Sequence, residues 1–116
     1  MTNGEPRNIR ERLQAGPAEV LQALPAMGRL MITASHLGVT HERIGLVETV
    51  VEEGGWVASR GAEHDSRVDP GAVAQMIVDR SGRMGEKAFP RIDFHAHDGG
   101  TLFSDVGFEG LEPFDA

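Results

Sequence analysis

Apolar and polar positions change period along the chain, and each change marks an element. Residues 1–7 are polar and predict a loose leader. Ile9 and Leu13 then lie four apart among Arg10, Glu11 and Arg12, the spacing of one face of a short first helix, which Gly16 ends. Pro17 suits the first position of a second helix carrying Val20, Leu21 and Leu24, and Pro25 stops it. Leu30-Met31-Ile32-Thr33-Ala34 is a short, mostly apolar run that predicts a buried strand. Residues 44–51 are rich in β-branched side chains, Glu52-Glu53-Gly54-Gly55 reads as a hairpin turn, and Trp56-Val57-Ala58-Ser59 is the returning strand.

Residues 60–71 are polar and turn-rich, ending in Asp69-Pro70-Gly71. The apolar positions of 72–79 (Val73, Met76, Ile77, Val78) fit neither period, and Asp69 before Pro70 is also a good helix start. Residues 81–85 read as a loop. The clearest element is a last hairpin, in which Ile92, Phe94 and Ala96 alternate with Asp93, His95 and His97. Asp98-Gly99-Gly100 turns the chain, and residues 101–106 return. An acidic tail occupies 108–116, and there is no internal repeat. Two short N-terminal helices followed by five or six strands in hairpins predict an α+β fold with an antiparallel sheet and no parallel βαβ unit. With 116 residues, 1–116 is expected to be a single domain.

Charge narrows the function. The net charge of −7 argues against a nucleic-acid partner, which requires a basic face, and against adsorption to anionic membranes. No cysteine is present, which excludes disulfides, thiolate metal sites, cysteine nucleophiles and iron–sulfur clusters. No window approaches eighteen apolar residues, and the polar N-terminus does not look like a signal peptide, so the expected location is the cytoplasm.

Four groups of residues carry candidate chemistry. Asp93, His95 and His97 would share one strand face, a ligand set suited to zinc or iron, or simply the wet face of a hairpin. His36 and His41 flank Gly38 in a turn, where an imidazole is either solvated or an axial ligand to haem iron. His64 and Ser66 are too close in one loop for a hydrolase dyad, and no Gly-x-Ser-x-Gly elbow accompanies them. Arg67 is either paired on the surface or a bidentate grip on a carboxylate. No phosphate loop, dinucleotide fingerprint or EF-hand loop is present, and the chain reads as a binding protein rather than an enzyme.

Val20-Leu21-Gln22-Ala23-Leu24-Pro25-Ala26-Met27-Gly28-Arg29-Leu30-Met31 resembles the opening of the bacterial haem-utilisation carriers, cytoplasmic haem-trafficking proteins and their short haem-binding relatives. Val39-Thr40-His41-Glu42-Arg43-Ile44-Gly45 resembles their Val-His-Glu-Lys-x-Gly turn, and His64-Asp65-Ser66-Arg67 falls where they carry an Asp-Leu-Arg strand. Arg91-Ile92-Asp93-Phe94-His95-Ala96-His97-Asp98-Gly99-Gly100 is similar to their last hairpin, although Ser104-Asp105 stands where they have His-Lys. The resemblance covers roughly residues 18–107, one half of a long carrier, and makes 74–78 a strand. It implies haem as ligand and a homodimer that restores the doubled architecture. It points to His41 for the iron, with His36 second, and to Arg67 for a propionate. Arg43, at the place of an axial histidine in one half of the long carriers, becomes a second propionate contact. The alternative is a small metal-binding or protein-interaction domain centred on Asp93, His95 and His97, without haem.

Overall fold

A computed structural model describes residues 9–114, apart from the side chain of Met84; the expected leader at 1–7 lies outside the described residues. The chain forms β1 (Arg10–Arg12), α1 (Pro17–Gln22), a 3-10 turn (Leu24–Met27), β2 (Arg29–His36), β3 (Val39–Leu46), β4 (Thr49–Glu53), β5 (Trp56–Arg60), β6 (Asp65–Val68), a second 3-10 turn (Pro70–Ala72), β7 (Gln75–Met84), β8 (Lys87–His95) and β9 (Thr101–Gly107). Two antiparallel sheets result, one of six strands in the order β1-β7-β8-β9-β2-β3 and one of three in the order β4-β5-β6.

The two-helix expectation is half met. Pro17 opens α1, and the 3-10 turn at Pro25 follows it, burying Val20, Leu21, Leu24 and Met27. Residues 10–12 are not helical. They pair as β1 with Ile77, Val78 and Asp79, and Glu11 reaches Arg80 at 2.7 Å. The short segment between Ile9 and Gly16 is well below the length at which a helix is stable by itself in water, whereas the edge of β7 offers residues 10–12 a ladder. Leu13 still enters the core, and its N–H donates to the Met76 carbonyl.

The β-rich run at 44–51 is cut in two. Ile44 belongs to β3 and Val50 to β4, so the run leaves one sheet and enters the other, with Val47 buried between them. The polar stretch at 60–71 contains β6, which pairs with β5. Residues 72–79 give a 3-10 end and then strand, and the loop expected at 81–85 is mostly the continuation of β7, which pairs with β8 across a register shift between Asp79 and Gly82. Both glycine-turned hairpins form, β4–β5 around Gly54-Gly55 and β8–β9 around Asp98-Gly99-Gly100, although β8 ends at His95, before the expected His97.

Directly paired residues share a face of a sheet. On the six-stranded sheet one row reads Val78, Ile92, Asp105, Ile32, Arg43 from β7 to β3, and the next includes Met76, Phe94 and Phe103. This inner face holds Val78, Ile92, Phe94 and Leu30 in the core, and the Phe94 and Phe103 rings stack at 4.2 Å. Burying each such side chain stabilises the fold by about 1.5–3 kcal/mol. The small sheet contributes Val57, with Val50 and Val68 packed against the same cluster. The acidic tail returns to this core as well: Phe114 is buried, and Glu112 pairs with Arg80 at 3.0 Å.

Candidate functional site

Where the small sheet meets the edge of the large one, the chain leaves a pocket of about 320 Å³. Ile32 of β2, Arg43 of β3 and Asp65 and Ser66 of β6 line it, together with residues 61–64 of the β5–β6 turn. Gly61 and His64 close that turn by exchanging backbone bonds, Gly61 N–H to the His64 carbonyl at 2.8 Å and the reverse at 3.4 Å. The turn carries His64 inward, where it is 4% exposed, and among the described residues no group hydrogen-bonds its Nε2. Gly45 makes this seat. A Cβ there would lie 2.8 Å from Glu63 Cβ and 3.4 Å from His64 Nε2, so only glycine lets β3 come this close without displacing the turn.

Arg43 is opposite Ile32, exposed and on the inner face, and among the described residues no carboxylate pairs with it. The pocket therefore joins an apolar side chain, a guanidinium and a histidine contributed by three separate elements, with the histidine's Nε2 closed off from solvent beside Gly45. A guanidinium recognises a carboxylate by paired charge-assisted bonds, and a neutral imidazole nitrogen is a good ligand for iron.

The histidines of the β2–β3 hairpin stand elsewhere. His41 is opposite Ala34, two residues along β3 from Arg43 and on the same face, but it is exposed and does not line the pocket. His36 is exposed beside the hairpin tip, where Leu37 and Gly38 take φ of 49° and 83°. Arg67 is opposite Ala58 on β6, so alternation sets it on the other face from Ser66 and Val68. Within one chain, the structure brings Arg43 to the pocket and leaves His36, His41 and Arg67 outside it.

The set Asp93, His95 and His97 does not assemble. A register shift between Phe94 and His95 breaks the alternation that would have aligned them. Asp93 is buried and held by Arg91 Nε at 2.8 Å, Arg91 NH2 at 3.0 Å and the Ser104 hydroxyl at 2.6 Å. His97 Nε2 lies 2.9 Å from the Gly71 carbonyl. Among the described residues no group of three or more histidine, aspartate or glutamate side chains is placed to hold a metal ion. His64 and Ser66 meet at the pocket wall, but the imidazole is there as a buried nitrogen rather than a solvated base. The local sequence around His64 is polar and gives no sign of that burial; Gly45, nineteen residues earlier, creates it.

No protein-family model and no curated protein sequence matches the chain. Solved structures do. The heme degrading enzyme ChuS of Escherichia coli O157:H7 superposes with a TM-score of 0.72 at 19% identity, over 90% of this chain and 32% of ChuS. The heme-binding protein PhuS of Pseudomonas aeruginosa, without heme, gives 0.71 at 16% identity, over 90% of this chain and 30% of PhuS. The heme-binding protein ChuX gives 0.66 at 13% identity, over 84% and 61%. The chain thus shares the fold of ChuS, PhuS and ChuX and spans about a third of ChuS and PhuS and three-fifths of ChuX.

Proposed function

We propose that this chain is a haem-binding protein that holds haem and hands it on. The observation that carries the reading is the corner pocket, where this fold unites Ile32, Arg43 and His64. Haem presents an apolar macrocycle, carboxylate side chains and an iron, and these three residues offer one complement to each. Arg43 binds a propionate, Ile32 gives the apolar wall, and His64 is the first candidate for the iron, its buried Nε2 reaching the metal once the β5–β6 turn shifts away from Gly45. Bound haem would supply the iron centre and its colour. The protein's part is to orient the macrocycle and exclude water from one side.

His41 is the second candidate, because it shares the inner face of β3 with Arg43. Arg67 and His36 serve the site only from another direction, which fits a cytoplasmic homodimer in which the second copy supplies what half a carrier lacks. Haem titration of the purified chain tests the reading, with a Soret band expected at one haem per chain or per pair of chains. Replacing His64 by Ala is expected to shift the band and weaken binding, while Arg43→Ala weakens binding with the band in place. A shift in His41→Ala and none in His64→Ala moves the iron to the hairpin. A parent chain that binds no haem, or that instead carries stoichiometric zinc, overturns the reading.

A further inference from the structure

Asp105 lies on β9 with none of its surface exposed, and among the described residues neither carboxyl oxygen has a hydrogen-bond partner. Ile92 and Ile32 flank it on the inner face, and Arg43 is the next residue in the row beyond Ile32. At about 4.8 Å per strand, the backbones of Asp105 and Arg43 are about 10 Å apart. The other charged groups of that face stand at its margins. Glu11 and Glu112 both pair with Arg80 on the β1–β7 side, and His41 is on the exposed arm of β3. From the facing small sheet come Ser59, whose hydroxyl is also buried without a partner, and Glu52, which is exposed; His64 stands in the β5–β6 turn. Burial alone pushes the Asp105 carboxyl up to about 8.

We propose that Asp105 is a proton-operated catch on the corner pocket: with its proton it lets β9 and β2 close on the core, and without it the β9–β2–β3 side of the sheet opens. An unpaired carboxylate in a dry interior costs several kcal/mol. Water can reach it most cheaply from the side where the sheet is thinnest. On that side stand two strands, and the outer one, β3, is exposed at every residue except Gly45. On the other side stand the long β7–β8 ladder and β1, tied by the Arg80 ion pairs. Opening therefore begins at Ile32 and Arg43, two of the residues that line the pocket. The catch does not rest on haem and is tested without it.

The test is hydrogen exchange of the full, haem-free chain at pH 6 and pH 8.5, corrected for the intrinsic pH dependence, with Asp105→Asn and Asp105→Val beside the parent. In the parent, protection of β2, β3 and β9 amides should fall at least tenfold more than that of β7 and β8. In both variants the two regions should change together. A uniform loss across the sheet, or the same selective loss in the variants, overturns the proposal. Should either variant fail to fold, the carboxyl carbon resonance of Asp105 in the parent decides the point: a midpoint above 7 supports the catch, and one below 5 removes it.

Discussion

Asp93 and Asp105 sit on adjacent strands, one step apart in register, on opposite faces of the same sheet. Both are buried, with Asp93 at 7% and Asp105 at 0% exposure. Their electrostatics have nothing else in common. Asp93 accepts from Arg91 twice and from Ser104, and its neighbour Asp79 is bonded to Ser81, Arg91 and Arg10. The Ser81 hydroxyl bond first, then Arg91 and Arg10, hold the Asp79 carboxyl below its usual range against the opposing effect of burial. Asp105 has burial and nothing to offset it. Depth in the fold is thus a poor guide to the ionisation of a carboxyl; the donors within reach decide it.

The largest expected effect is at Asp105. Its carboxyl titrates near 3.9 in the unfolded chain and about 8 in the fold, so the fold binds the extra proton. The stability this proton brings is complete below pH 4 and is lost at up to about 1.4 kcal/mol per pH unit until the folded value is passed. Asp105→Val should therefore gain about 2–4 kcal/mol at pH 8 and flatten the pH dependence, as read by denaturant unfolding. Equal pH slopes in parent and variant would break the contrast between the two faces.

Removing a donor on the outer face should do the reverse. Arg91→Ala strips Asp79 and Asp93 of their shared guanidinium and should cost about 1–2 kcal/mol at pH 7, less at high salt because Arg91 is 44% exposed. Ser81→Ala should cost about 1 kcal/mol or less. That contribution exists above the unfolded carboxyl value and disappears as pH falls through the lowered folded value of Asp79, so the variant and parent should converge in acid. The smallest effect belongs to Arg60→Ala. Its pairs with Glu53 and Asp65 are on the exposed face of the small sheet, and thermal unfolding should not register their loss.

The hairpins at Gly54-Gly55 and at Asp98-Gly99-Gly100, the start of α1 at Pro17 and the antiparallel character of the sheet were legible in the sequence. Each rests on neighbours within a few residues: a turn that needs positive φ, a proline that sets φ, an alternation that places one face inward. Of the pocket's wall, Arg43 stood out in the sequence because it lies in a stretch with a recognisable pattern, whereas Ile32 read only as a strand residue.

What the sequence could not decide depends on residues far apart along the chain. β1 looked helical because Ile9 and Leu13 flank it four residues apart, and only the ladder of β7, more than sixty residues on, makes it a strand. The same holds for the division of residues 44–51 between two sheets, which follows from how the small sheet folds back at Glu48, whose N–H donates to the Arg60 carbonyl. His64 is polar in a polar loop until Gly45 admits its turn against β3. Asp105 falls in a strand whose alternation does not say whether its neighbours will be donors or isoleucines, and the pairing with Ile92 and Ile32 settles it. Local geometry is written in adjacent residues, whereas desolvation and charge pairing are set by whatever the finished fold brings alongside.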